Sequence, residues 1–358
     1  MNTSVGASRT PMLGGIFSYR SLFWPLAMIC LGTVALLWNN GTIAPQTMMS
    51  VLRLWPLLLI FAGLDVLVGR RSVLLNGGLG LGLIALVVLA MAAGPSLGLT
   101  SGLHTYHYSA PVAGAQSAQV NLDLKDDHVI VAPFGDLRHL ATVDLTGVGE
   151  PRFAATGTTE KTITFSQAQQ SGNTDWIAQI VGKATIRLNQ SVPMAVEVSN
   201  GSGLSDLDLS TLKLTGLNVN SGSGQVNLQV PAGPMRYGVA LNSGSGIATL
   251  RVAHDAALDL TVNSGSGRFS LSLGDRTDVT AQINAGSGAV VIDVPDNAPL
   301  QVQVQSDTAA VWLPSGLHRL PTTLTGQHSG LWQSSKFVGA AHKIVLDVQL
   351  GSGTLRVR

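Results

Sequence analysis

The sequence predicts a chain of two dissimilar parts: N-terminal transmembrane α-helices (three spans) within residues 1–103, then an all-β domain over residues 104–358, built as a single-stranded β-solenoid with coils of about 21 residues. Three observations carry this. Charge nearly vanishes between Met1 and Leu103, where Asp65 is the only acid and Arg9, Arg20, Arg53, Arg70 and Arg71 are the only bases. Three apolar stretches follow one another in that region. Beyond it, a Ser-Gly-Ser-Gly tetrapeptide or a near copy returns with a fixed period.

The totals narrow the possibilities. A length of 358 residues allows two domains with a sizeable core. A net charge of +1, with 11% of residues charged, provides no basic surface for nucleic acid, and none is expected as a partner. The mean hydropathy of +0.32 is high because of the first hundred residues alone. Cys30 is the single cysteine, so no intramolecular disulfide can form. It lies in an apolar run and reads as a small buried hydrophobe. Ala27-Met28-Ile29 before it lacks the small-residue pattern of a lipid attachment site.

The apolar stretches run from about Leu22 to Trp38, Leu54 to Gly69 and Val73 to Leu99. Crossing the hydrocarbon core takes roughly 20 apolar residues, with about 17 as the lower limit. A signal peptide would supply one such region, not three. Arg9 and Arg20 before the first stretch, and Arg70-Arg71 between the second and third, mark the cytoplasmic side. Arg53 disagrees. The expected location is therefore a bacterial cell membrane, multi-pass, with a cytoplasmic N-terminus and an extracytoplasmic C-terminal domain. Trp24, Trp38 and Trp55 sit at span ends, as indoles in the headgroup zone would. In the third stretch, Gly78 and Gly82 form a G-x-x-x-G pair that suits close helix packing.

The repeat dictates the second part. Successive corners carry Gly201 and Gly203, Gly222 and Gly224, Gly244 and Gly246, Gly265 and Gly267, and Gly286 and Gly288. The second glycines recur at steps of 21, 22, 21 and 21 residues. Four residues after each lies Leu207, Leu228, Leu250, Leu271 or Ile292, and six after lies Leu209, Val230, Val252, Leu273 or Val294. Polar residues separate them, so each corner opens a half-buried strand. A weaker copy follows through Val302, Val304, Val311 and Leu313, with Ala309 in the glycine slot. The last surrounds Gly351-Ser352-Gly353, with Leu346, Val348, Leu355 and Val357. Equal spacing of equivalent residues predicts stacked coils, the glycines serving left-handed corners and close stacking. An antiparallel meander with hairpins at each corner is the alternative.

Reactive constellations are missing from the sequence. The outward column Asp208, Gln229, Arg251, Ser272 and Asp293 has no stacked carboxylates for acid/base chemistry. His104 and His107 lack a third metal ligand. The serines have no His/Asp partner at a recognisable spacing. No catalytic, cofactor-binding or metal-binding residue is expected, nor any cofactor. The neutral column Asn227, Thr249 and Ser270 reads instead as a hydrogen-bonding face.

Two resemblances add to this. Trp24-Pro25-Leu26 with Gly32 recurs as Trp55-Pro56-Leu57 with Gly63, 31 residues on, and residues 20–71 resemble the LiaI-LiaF-like transmembrane region of bacterial envelope-stress proteins. Leu204-Ser205-Asp206-Leu207-Asp208-Leu209-Ser210, running into Leu217-Asn218-Val219-Asn220-Ser221-Gly222-Ser223-Gly224, resembles the toast-rack domain of LiaF-type proteins. Asp175-Trp176, Ser191-Val192-Pro193 and the closing Lys343 to Gly353 fit that family, and related candidate-adhesin β-helix domains are similar. The resemblance implies a membrane-anchored, non-catalytic envelope-stress sensor or regulator. Its partners would be the lipid bilayer and a membrane protein, such as a sensor histidine kinase held inactive, or the chain itself. A structural or adhesive solenoid binding cell-wall polymer is the alternative.

Overall fold

The computed structural model describes residues 23–43, 45–68, 73–93, 96, 103–124, 128–148, 150–167, 182–306, 308–326 and 328–358. The chain divides into two compact units, Met1–Ser101 and Gly102–Arg358.

Among its described residues the first unit holds four helices: α1 (Phe23–Asn39), α2 (Pro45–Arg53), α3 (Trp55–Val68) and α4 (Val73–Ala93). Phe23 and Ala27 of α1 and Leu83 of α4 form its small core, with Phe61, Ala62 and Leu79 packed against them. This corrects the three-span expectation. No helix among the described residues is long and apolar enough to cross a membrane. With 17 and 14 residues, α1 and α3 reach about 25 and 21 Å, short of the roughly 30 Å hydrocarbon core. The link between them folds as the separate helix α2, which carries Ser50 and Arg53. The first half of α4 carries four glycines, Gly77, Gly78, Gly80 and Gly82. A multi-pass membrane location is overturned on the same finding. The orienting residues Arg9, Arg20, Arg70 and Arg71 lie outside the described residues, as do Asp175 and Trp176.

The second unit is all β. Its first strands are β1 (Leu103–Pro111), β2 (Ser117–Asp123), β3 (His128–Phe134), β4 (His139–Val148), β5 (Arg152–Thr156), β6 (Glu160–Ser166) and β7 (Lys183–Asn189). A regular middle follows: β8 (Met194–Asn200), β9 (Leu204–Asp208), β10 (Leu214–Ser221), β11 (Gln225–Val230), β12 (Gly233–Ser243), β13 (Ile247–Val252), β14 (Ala256–Ser264), β15 (Arg268–Leu273), β16 (Asp278–Ala285) and β17 (Ala289–Asp293). The last are β18 (Leu300–Gln305), β19 (Ala310–Trp312), β20 (Leu317–Leu320), β21 (Gly330–Ser334), β22 (Ile344–Leu350) and β23 (Thr354–Val357).

Each glycine corner sends the chain from one sheet to the other, as from β10 to β11. Strands of successive coils then pair in parallel, β10 with β12 and β11 with β13. The meander required antiparallel neighbours within one sheet at these corners, so the coils are those of a two-sheet solenoid. Side chains alternate in and out along each strand, and register stacks equivalent residues into apolar columns. Leu207, Leu228, Leu250, Leu271 and Ile292 form one such column, each at most 1% exposed. Val219, Leu241, Val262 and Ile283 face them from the other sheet, in the same core.

Chain order and stacking order differ at both ends. In one sheet β22 lies between β16 and β18, and in the other β23 lies between β17 and β19. The C-terminal coil is therefore wedged inside, and the coil that precedes it in sequence sits at the end. At the opposite end, the coil of β2 and β3 lies between those of β6–β7 and β8–β9. Antiparallel strands close the stack: β1, β4 and β5 at one end, β20 and β21 at the other. Such closure blunts the open edges that parallel coils would otherwise present.

Candidate functional site

The glycine corners stack coil on coil, and this builds an open cleft along the β unit. A Cβ on Gly222, Gly244, Gly265 or Gly286 would come within 2.8–3.0 Å of the carbonyl oxygen one coil below. On Gly224, Gly246, Gly267 or Gly288 the approach would be 1.9–2.1 Å. Gly201 and Gly203 supply the carbonyls met by Gly222 and Gly224. None of these glycines has positive φ, so close stacking, and not left-handed backbone, excludes a side chain. Left-handed residues occupy a different corner, where Asp255 (φ 59°), Arg276 (φ 55°) and Asn297 (φ 59°) recur one coil apart.

In the first unit the close approach falls at Gly80, whose Cβ would lie 2.6 Å from Leu26 Cδ1. Gly82 faces Phe61 Cε1 at 3.3 Å, whereas nothing lies within 4 Å of Gly78.

Beside the glycine column runs an open groove of about 1270 Å³, lined by eight coils from Asp123 to Gln305 and Gln349. At a strand spacing of 4.7–4.9 Å, eight coils span roughly 33 Å. One wall is a ladder of asparagines. Asn242 Nδ2 donates to Asn220 Oδ1 at 2.7 Å, Asn263 to Asn242 at 2.8 Å, and Asn284 to Asn263 at 3.0 Å. Gln349 and then Gln305 extend the column beyond Asn284. The next column inward is Asn200, Ser221, Ser243 and Ser264, all buried. Asn200 Nδ2 donates to Ser205 Oγ at 2.5 Å, but Asn200 Oδ1 and Ser221 Oγ have no partner. Among the described residues, Asp123, at one end, is the only charged residue lining the groove, and no aromatic ring lines it.

The ladder was not singled out from the sequence, although its signal is present. An asparagine stands four residues before Gly224, Gly246, Gly267 and Gly288, with the period of the glycines themselves. The column that was singled out, Asn227, Thr249 and Ser270, lies in register on the outer face of the other sheet. Asn227 Nδ2 donates to Asp206 Oδ1 at 2.7 Å, and His128 Nε2 lies 3.2 Å from Asp206 Oδ2.

Two further His–Asp pairs lie near the N-terminal end of the unit. His107 Nδ1 is 2.7 Å from Asp144 Oδ1, and Arg187 Nη1 donates to Asp144 Oδ2 at 2.8 Å. His139 Nδ1 is 2.5 Å from Asp136 Oδ2. The hydrogen bond from His107, with Arg187 adding to it, holds the Asp144 carboxyl below the usual range. The His139 bond does the same for Asp136. These imidazoles meet carboxylates in exposed positions, an arrangement that orients charge but lacks the nucleophile of a catalytic triad. His104 is on β1 with His107, its ring 6.1 Å from that of Tyr106. No group of three His, Cys, Asp or Glu able to hold a metal occurs among the described residues. Cys30 is half-buried in α1, where burial pushes its thiol up and away from thiolate chemistry.

Fold and site together define a two-sheet parallel β-solenoid with a neutral, hydrogen-bonding groove along one corner. Residues 150–252 match the family model of the N-terminal domain of toast_rack, DUF2154, a span from β5 to β13. The chain is also similar to three solved structures. These are a candidate cell adhesion protein from Clostridium sporogenes ATCC 15579 (14% identity, TM-score 0.38, 71% of this chain and 98% of that one), a candidate adhesin from Bacteroides fragilis NCTC 9343 (12%, 0.32, 72% and 98%) and one from Parabacteroides distasonis ATCC 8503 (14%, 0.30, 72% and 97%). At such scores the likeness carries no functional argument. No curated protein matches the chain. The toast_rack match does not reach residues 20–71, so it does not extend to the LiaI-LiaF-like part of the resemblance.

Proposed function

We propose that the chain is a non-catalytic binding module that holds an elongated ligand along the corner groove through many weak hydrogen bonds. The asparagine ladder is the observation that carries this reading. A primary amide has two N–H donors and two acceptor lone pairs. A central rung such as Asn242 or Asn263 uses one of each on its neighbours, leaving one donor and one acceptor for a ligand. The same pair of groups is thus offered coil after coil. Single contacts of this kind contribute little, and affinity comes from their number.

The test is to incubate the purified full chain with peptidoglycan and common polysaccharides, following both retention and product release. Retention without turnover is expected. A turnover abolished by one Asp, Glu or His substitution would overturn the non-catalytic reading, because losing a reactive group costs orders of magnitude in rate.

A second reading takes the bound partner to be a protein and the chain to be a regulator, for instance of a sensor histidine kinase. The match of residues 150–252 to a toast_rack domain supports it. Co-purification of a kinase with the full-length chain would favour it over the first.

A further inference from the structure

We propose that the ligand of the corner groove is a neutral, linear glycan lying along the solenoid axis, with about one sugar unit over each coil; this rests on the reading that the groove binds a ligand at all. The groove's chemistry removes the other classes of polymer. A nucleic acid or an anionic polymer needs cations, and among the described residues the one charge in the wall is the carboxylate of Asp123. A folded protein partner needs aromatic, apolar or arginine anchors in the buried centre of its interface. Among its described residues the groove has no aromatic ring and no arginine, and its apolar members Leu124, Leu350 and Ala285 are themselves buried.

An added peptide strand needs free backbone edges. Here the corner amides already bond from coil to coil: Gly244 N donates to Gly222 O at 3.0 Å and Gly265 N to Gly244 O at 3.1 Å. What stays free is side-chain amide and hydroxyl, the groups that pair with sugar hydroxyls as both donor and acceptor. Two unpartnered atoms point the same way. Asn200 is 6% exposed and Ser221 8%, both line the groove, and their Oδ1 and Oγ lack partners. Buried polar atoms of this kind are normally satisfied. A ligand hydroxyl arriving over the floor would satisfy them.

Register favours the glycan further. The rungs repeat at the strand spacing of about 4.8 Å, whereas an extended peptide repeats its outward groups about every 6.6 Å and drifts out of step within a few rungs. A pyranose unit in a (1→4)-linked chain advances by a distance close to one strand spacing. Neighbouring sugars of an extended β-(1→4)-linked chain are turned over, so alternate units present the same edge, and the hydroxyls of either edge can both donate to and accept from the amide beneath.

The experiment is calorimetric titration of the full chain with (1→4)-linked glucose and N-acetylglucosamine oligosaccharides, from disaccharide to hexasaccharide. An uncharged Ser/Gly peptide of matched length serves as comparison. Affinity should rise with each sugar added. Asn263→Ala should weaken hexasaccharide binding about tenfold, the loss of one or two hydrogen bonds. Gln349→Ala, an exposed rung outside the Asn–Asn bonds, should weaken it without disturbing the fold, so the test survives if Asn263→Ala unfolds. Thr249→Ala, on the outer face of the other sheet, should leave binding unchanged. Binding of the peptide but of no oligosaccharide would overturn the glycan while leaving the groove reading in place. Binding of neither, or oligosaccharide binding indifferent to both Asn263→Ala and Gln349→Ala, would overturn both.

Discussion

At Gly246 a single hydrogen atom decides whether two coils can stack. A Cβ there would lie 1.9 Å from Gly224 O, which belongs to backbone fixed by its own pairing. Gly246→Ala is therefore expected to destabilise by about 2–3 kcal/mol, as overpacking against an unyielding neighbour does. The exposed Ser245 beside it should tolerate alanine within about 0.5 kcal/mol. Urea unfolding of both variants checks this, and equal effects would mean that the corners yield. Asp144 makes a pH prediction. Its carboxyl is depressed in the folded state, first by the His107 hydrogen bond and then by Arg187. A depressed carboxyl contributes stability above the unfolded value near 3.9, which is lost as pH falls through the lower folded value. Asp144→Asn should lower the melting temperature slightly at neutral pH, and the difference should vanish toward pH 2. The effect stays small because Asp144 is 37% exposed and solvent screens the pair.

Among the elements, β22 and β23 have the least expected position. They form the last coil in sequence but lie between two others in space. The arrangement has a physical correlate in the glycine column. A Cβ on Gly351 or Gly353 would lie 2.9 or 2.1 Å from Gly286 O or Gly288 O, so this coil continues the tight corner. Ala309 takes the glycine slot in the coil of β18 and β19, where Ala309 N donates to Ser306 Oγ at 3.0 Å in a corner of another kind. A coil with Cβ in that slot suits the end of the stack. Stacking order then sets mutational cost. Leu355 is fully buried between coils, while its register partner Val311 is half-buried on the end coil. Leu355→Ala should cost about 2–5 kcal/mol and Val311→Ala clearly less, by denaturant unfolding. Were the coils stacked in chain order, the ranking would reverse.

For the whole molecule, solenoid stacking makes stability a sum of coils and their interfaces. Central coils have neighbours on both sides, and edge strands on one. Amide hydrogen exchange should accordingly be slowest in β10 to β17 and fastest in β1, β5, β19 and β20. Uniform protection from end to end would mean that the closing strands tie the stack into one cooperative block. The helical unit is built differently, its described core being Phe23, Ala27 and Leu83 with few supporting side chains. Leu67, Val66 and Met28 on its helices are more than 60% exposed.

The sequence by itself determined the coil. Alternation of Leu207 with Asp208 and Leu209, repeated at a fixed step, specifies one buried face per strand, and a slip of one residue would turn every apolar side chain outward. The glycines likewise declared a close approach, because a residue that recurs in one slot of every coil answers to a recurring neighbour. In the first unit α1 and α3 cover only 17 and 14 residues, no described helix is long and apolar enough to cross a membrane, and the link after Asn39 folds as α2. Hydropathy measures composition and does not see where a helix stops. Only the tertiary structure decided which coil stacks on which, since every coil presents nearly the same columns and local pattern is indifferent to their order. It also decided that Asn220, Asn242, Asn263 and Asn284, each an unremarkable polar residue near the end of its own strand, stand in line as one wall. Their hydrogen bonds cross 21 or 22 residues of chain and exist only once the coils are stacked.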